Sequence, residues 1–285
     1  MAARYSNATY RNLRRFKTAA LYAGVVLVLF YVVFPYYWAM ISSTKSGPAL
    51  YEFSLLPSFD FSNYVALFTN RVFMGALVNS IMVALASTAI ALALGILAAY
   101  GFGRLHFPAG RYLLIAVLMI SVLPQVVVLS GMFEVIGWLH LYNRPTALIV
   151  SYLMLTLPFT TWILTSFIRD LPRELEEAAL VDGCSRLRIL THVLLPLMGP
   201  AIASTGLLAF ILSWNEFLFA LTFILTDDNR TVPVAIGLLT GSSRYEVPFG
   251  QVMAASVTVT FPLLVLVLIF QRKIVAGLTS GAVKG

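Results

Sequence analysis

Three acids, Glu176, Glu177 and Asp182, stand beside small alanines and a glycine in the stretch EEAALVDG, Glu176 to Gly183, within a chain of which only 11% is charged. Acids flanking alanines suit recognition. The small side chains let another backbone approach closely, and the carboxylates can pair with basic residues on a partner. No catalytic constellation accompanies them. His106, His140 and His192 lack metal-ligand spacing such as H-x-x-x-H, so no metal site is expected. The one cysteine, Cys184, has no mate for an internal disulfide. The phosphate-loop pattern G-x-x-x-x-G-K-[ST] is absent: GLTSGAVKG near the C-terminus has the letters at the wrong spacing and follows no strand. The chain is therefore expected not to be an enzyme and to bind no cofactor itself. NAT at Asn7 and NRT at Asn229 match the glycosylation acceptor pattern, which is short enough to arise by chance.

The elements that must position the acids are set by composition. Of 285 residues, 60% are hydrophobic, above the about 45–50% usual for a soluble chain, and the charge falls well below the usual about 25%. Six apolar stretches are long enough to span a bilayer: about Ala19 to Ile41, Phe73 to Tyr100, Tyr112 to Phe133, Thr146 to Ile168, Leu197 to Leu225 and Val252 to Phe270. The first is too long for a cleavable signal and ends in FPYYWAMISSTK, with aromatics where an interfacial belt belongs. Six spans put both termini on one side. Lys45, Arg71, Arg144, Arg230 and Arg244 fall on the other side, and the remainder of the 19 basic residues on the same side as the termini. The positive-inside rule then makes the termini cytoplasmic, where a bacterial-type membrane topology would want the basic residues. The net charge of +7 needs no nucleic-acid partner.

The acidic stretch lies in a loop, 169–196, between the fourth and fifth spans. It reads as helix, turn, helix. Asp170 before Pro172 marks a start, and Glu174, Glu176 and Glu177 lie near the positive end of the helix dipole. Gly183 suits a left-handed stop, and Ser185 can cap a second helix with Leu187, Leu190, Leu194 and Leu195 as its apolar face before Pro196. Leu175, Ala178 and Ala179 are expected on one side of the first helix. Taken alone, this reads as an amphipathic hairpin resting on its own bundle, neutral in function. Glu216 is the one acid placed inside an expected span, roughly 28 Å beyond Leu197 at 1.5 Å per residue. Ionisable residues there often mark a pathway, so Glu216 with Trp214 and Asn215 is a candidate gate. The alternatives are that it snorkels or braces a subunit interface. Gln125, after Pro124, is a further pathway candidate. Tyr152 and Trp162 could line such a pathway or simply pack. The loop 226–250 is rich in turn formers and should protrude on the external side.

The run EAALVDGCSRLRILTHVLLP, Glu177 to Pro196, resembles the EAA loop of integral-membrane permease subunits of bacterial binding-protein-dependent ABC importers, with Val193 where that family usually has isoleucine. LVNSIMVAL from Leu77, AAYGFGRLHFPAG from Ala98, SWNEFLFAL from Ser213 and FQRKIVAGLTSGAVKG from Phe270 resemble its carbohydrate branch, in particular the smaller maltose-type permease. The resemblance implies an all-α, polytopic six-helix bundle of the type I importer fold, forming one domain over residues 1–285. It implies coupling to an ATPase through Glu176, Glu177, Ala178, Ala179, Asp182, Gly183, Leu195 and Pro196. The tail, 271–285, would lie at the ATPase interface through Gly277, Leu278, Thr279, Ser280 and Gly281. In the external loop, Gly237, Thr240, Gly241, Ser242 and Ser243 would meet the binding protein. The implied partners are a second permease forming a heterodimer, two ATP-binding subunits that use ATP and Mg, and an external sugar-binding protein. The implied substrate is trehalose or another α-glucoside. Two other functions fit the residues less fully: an ion-driven secondary transporter with Glu216 as relay, and a non-transporting membrane scaffold.

Overall fold

The computed structural model describes residues 2–105, 108–239 and 248–279, with side chains between residues 13 and 271. Among these residues there is no β-strand, and the fold is all-α. In chain order the helices are α1 (Ala2–Ser43), α2 (Ser62–Thr69), α3 (Arg71–Arg104), α4 (Gly110–Val122), α5 (Gln125–Trp138), α6 (Pro145–Asp170), α7 (Glu174–Val181), α8 (Arg186–Ile189), α9 (Leu195–Leu197), α10 (Gly199–Trp214), α11 (Leu218–Phe223), α12 (Val232–Gly237) and α13 (Phe249–Thr279). Four helical stretches are long and apolar enough to cross a membrane: Leu13–Ser43, Arg71–Arg104, Pro145–Asp170 and Phe249–Gln271. Two bent pairs reach that length only together, giving up to six spans.

The bent pairs correct two expected spans. Tyr112 to Phe133 is not one rod: α4 and α5 meet at 102°. Pro124 disfavours the helical region for the residue before it, and Leu123 is extended (φ −64, ψ 137). Leu197 to Leu225 is broken twice. The helical run Arg186–Leu197 meets α10 at 79°, at Met198 between Pro196 and Pro200. Then α10 stops at Trp214, before α11 starts at Leu218.

The chain divides into two compact units, Met1–Leu67 with Thr240–Thr258, and Phe68–Leu239 with Val259–Gly285. In the first, the segment after α1 is tied by polar groups. Lys45 is buried, donating from Nζ to the carbonyls of Glu52 (3.2 Å) and Ser54 (3.0 Å) and lying 5.7 Å from the centre of the Trp38 ring. Asn63 Nδ2 donates to the carbonyls of Ser43 (3.1 Å) and Lys45 (2.7 Å). The Ser46 hydroxyl and the Ser62 N–H hold the Asp60 carboxyl below the usual carboxylate range.

The second unit is built on α3 against α6. Asn70 caps α3, its Oδ1 accepting from the N–H groups of Val72 (2.9 Å) and Phe73 (3.3 Å). Small buried residues recur along α3 every three or four positions: Ala84, Ser87, Thr88, Ala91, Gly95 and Ala99. Ala84 packs with Phe210 and Trp214 of α10, while Gly95 and Ala99 lie against α6, whose buried residues include Ser151, Thr156, Thr160, Thr161 and Thr165. Without hydrophobic drive in lipid, such residues let backbones close and gain packing contacts. A Cβ at Gly95 would stand 2.7 Å from Thr160 Cγ2, and one at Gly103 would stand 2.8 Å from Ile168 Cγ2. The hydroxyls of Ser87, Ser151, Thr156 and Thr165 satisfy themselves on carbonyls four residues back, at 2.6–2.8 Å. Ser87 also reaches Ser213 on α10 at 3.0 Å.

Gly95→Val should push methyl groups into Thr160 and cost about 1–3 kcal/mol of stability. Thermal denaturation in detergent should show a lowered midpoint. Gly101→Ala, where nothing lies within 4 Å of the added atom, should melt no lower than the unaltered chain. Equal midpoints for the two variants would contradict this packing.

Candidate functional site

The acidic stretch folds as a hairpin. Glu174, Glu176 and Glu177 occupy the first turn of α7, where the dipole favours negative charge. Gly183, at φ +80, ends the helix. Its N–H donates to the Leu180 carbonyl (3.0 Å) and that of Cys184 to Ala179 (2.9 Å), the paired bonds of a Schellman stop. Ser185 caps α8, accepting from the Arg188 N–H at 3.4 Å. Beyond it, Leu190–Leu194 widens into a π-helical stretch, the Leu195 N–H reaching back to the Leu190 carbonyl. Pro196 has no N–H for the carbonyl four residues earlier, which favours such a widening just ahead of it.

Burial sorts the hairpin into an inner and an outer side. Ala179, Ile189, Leu190 and Leu194 share one core with Ala99 of α3 and Leu164 and Ile168 of α6. Ala179 therefore faces the chain's own bundle, while Ala178 and Leu175 are exposed; the three do not form one face. Leu187, expected in the apolar face, is 66% exposed. Ile189 takes the inward seat, and two residues of helix turn Leu187 about 200° away from it. Leu195 is half-buried and Pro196 exposed. The outward surface carries Glu177, Ala178, Val181, Asp182 and Gly183.

Glu176 turns inward. It pairs with Arg104 in the last turn of α3, the two side chains being 13% and 5% exposed. Arg104 Nη2 also donates to the Leu171 carbonyl at the end of α6 (2.7 Å). Reciprocally, Arg169 in the last turn of α6 donates from Nη2 to the Phe102 carbonyl on α3 (3.0 Å). Each arginine thus satisfies a carbonyl at the other helix's C-terminal end. A cavity of about 480 Å³ lies beside the pair, lined by Tyr100, Arg104, Leu105, Glu176, Leu180, Arg186 and Ile189.

Glu216 and Gln125, expected as separate pathway candidates, meet. Glu216 is neither within a span nor at the surface. It sits in the break between α10 and α11, 6% exposed. Its carboxylate accepts from the N–H groups of Phe219 (2.8 Å) and Ala220 (3.1 Å), capping α11, and from Gln125 Nε2 (2.7 Å) at the start of α5. One carboxylate therefore joins the two broken regions. Trp214 is buried and stacks on Phe210, ring centres 5.6 Å apart, whereas Asn215 is exposed. Tyr152 is buried in the core with Phe219, Ala220 and Phe223, and Trp162 is 49% exposed.

Gly237 closes α12 against the Phe217 ring. Thr240, Gly241, Ser242 and Ser243 lie outside the described residues, as do Ser280 and Gly281. Gly277, Leu278 and Thr279 continue α13. The first part of the expected external loop is anchored instead by Asn143, whose Oδ1 accepts from the Leu225 and Thr226 N–H groups at 3.0 and 3.1 Å. The two arginine clamps are not apparent from the sequence, where Arg104 and Arg169 count only among the basic residues on the side of the termini. Their position in the last turn of long apolar helices was the available signal.

Long apolar helices with intramembrane-type breaks, and a capped acidic hairpin seated on the ends of two of them, define a polytopic membrane permease. The chain belongs to the family described as binding-protein-dependent transport system inner membrane component, which it matches over residues 91–279. It is 40% identical over 260 residues to the trehalose transport system permease protein SugB of Mycobacterium tuberculosis, covering 91% of this chain and 95% of that protein. It is also 40% identical over 275 residues to the trehalose/maltose transport system permease protein MalG of Thermococcus litoralis, covering 94% and 98%. Among solved structures it is similar in fold to a chain of a bacterial ABC transporter that imports the acidic polysaccharide alginate. The TM-score is 0.79 at 19% identity, covering 90% of this chain and 96% of that one. These similarities agree with the expected type I importer fold and give no support to an ion-driven transporter or a scaffold.

Glu216→Ala should leave the N–H groups of Phe219 and Ala220 and the Gln125 amide without their acceptor, costing about 2–3 kcal/mol. Gln125→Ala should cost less, because the cap on α11 survives. Detergent melting curves of the two variants check the order; the reverse order would contradict the cap.

Proposed function

We propose that this chain is the membrane-spanning permease subunit of an ATP-driven sugar importer. It lies in a bacterial inner membrane with both termini cytoplasmic, and it forms the translocation pathway with a second, related permease. Two ATP-binding subunits supply the energy by using ATP and Mg, and an external sugar-binding protein delivers the substrate. The observation that carries this is the α7 hairpin: its inner side is fixed to α3 and α6, while Glu177, Ala178, Asp182 and the turn at Gly183 are exposed on the outward side. The chain has no phosphate-loop pattern, so in an ATP-driven importer the energy would reach it through such a surface.

The exposed carboxylate of Glu177 would pair with a basic residue of the ATPase, Ala178 would allow close seating, and Gly183 would hold the turn. Leu195 and Pro196 shape the exit of the hairpin. The tail from Gly277 to Gly281 would lie at the ATPase interface, and the loop containing Gly237 and Thr240 to Ser243 would meet the binding protein. Trp214, Asn215, Glu216 and Gln125 would border the pathway or its outer gate, with Glu216 as the bracing group between two broken helices. Of the relatives named above, one is a trehalose and the other a trehalose/maltose permease, which supports trehalose or a related α-glucoside as cargo.

The test is uptake of labelled trehalose and ATP hydrolysis in liposomes carrying the reconstituted complex. Glu177→Lys and Gly183→Asp should each abolish binding-protein-stimulated hydrolysis and uptake while the two permeases still assemble. Uptake that needs no ATP, or that survives both changes, would contradict the proposal.

A further inference from the structure

We propose that Arg104 is a positioning residue that carries force from the α7 hairpin into the membrane helices, through its ion pair with Glu176. This rests on the hairpin being the ATPase contact. The buried guanidinium, at the last turn of α3, holds two partners on two different elements: the Glu176 carboxylate of α7 and the carbonyl of Leu171, where α6 ends. Arg169 closes the same junction from the opposite side by donating to Phe102. The packing beneath is unyielding, because Gly103 brings α3 against Ile168 with no room for a Cβ.

The hairpin has two kinds of attachment, and they differ in what they fix. The apolar seat of Ala179, Ile189 and Leu190 is non-directional and holds α7 near the bundle. The shielded ion pair is site-specific: it ties one carboxylate of α7 to one guanidinium of α3, and removing either partner leaves a buried charge uncompensated. It therefore fixes the angle and register of α7 against α3. Arg186 lines the same cavity but is exposed, and its guanidinium makes no ion pair with Glu176. The neighbouring acids divide the work, Glu176 facing α3 and Glu177 facing outward.

The test is a double-mutant cycle of Glu176→Gln, Arg104→Gln and the double variant in the full reconstituted complex. The readouts are co-purification of the ATP-binding subunits and the number of sugar molecules taken up per ATP hydrolysed. The ATP-binding subunits should remain in all three complexes. In Glu176→Gln, which keeps the Arg104 bond to Leu171, sugar per ATP should fall by about 5-fold or more. The double variant should be no worse than Arg104→Gln alone, because both remove one interaction. An unaltered ratio in Glu176→Gln, or losses that multiply in the double variant, would overturn the inference while leaving the importer function standing. Absence of ATP-driven uptake by the unaltered complex would overturn both.

Discussion

The close approach of α3 to α6 is the constraint on which the rest of the second unit depends. It follows from small residues at three-to-four spacing on α3 and from a line of threonines on α6, and the glycines at 95 and 103 leave no space for anything larger opposite them. Because the helices close along much of their length, their C-terminal ends finish side by side, and each can offer an arginine to the other's last carbonyls. The hairpin then finds both an apolar seat and a cation waiting for Glu176. Packing comes first, and the polar junction is its consequence.

The same unit manages broken helices by a different device. Bends at Pro124, at Met198 and after Trp214 leave backbone N–H groups that need acceptors. A buried carboxylate is a costly group, yet Glu216 is supplied with three N–H donors, two from the start of α11 and one from Gln125. It fixes the position of α11 relative to α5. An acid that looks like a proton relay in the sequence is a structural cap and brace in the fold.

Much of this was legible in the sequence, for identifiable reasons. Apolar runs of bilayer length, the left-handed glycine at 183 and the Ser185 cap are local signals, and they held because backbone conformation and capping depend on near neighbours. The prolines at 124, 196 and 200 were visible too, but the size of a bend depends on what packs against it, so two expected spans came out bent. Which alanine faces inward could not be read from α7, because adjacent Ala178 and Ala179 differ only by about 100° around the helix, and the surface beneath selects between them. The Arg104–Glu176 pair was hidden for another reason: the residues are far apart in sequence and only the α3–α6 packing brings them together.

The central claim is that α3, α6 and α7 move as one body when the ATPase closes. The most direct measurement is a spin-label distance between exposed Leu175 on α7, away from the outward ATPase-facing residues, and exposed Leu97 on α3, each changed to cysteine with Cys184 replaced by serine. It would be recorded in the reconstituted complex with and without nucleotide. The account predicts one narrow distance distribution that stays fixed between the two states, and that broadens when Glu176→Gln is added. A shift of the distribution on nucleotide binding in the otherwise unaltered complex would show that the hairpin moves independently of the spans, and would contradict it.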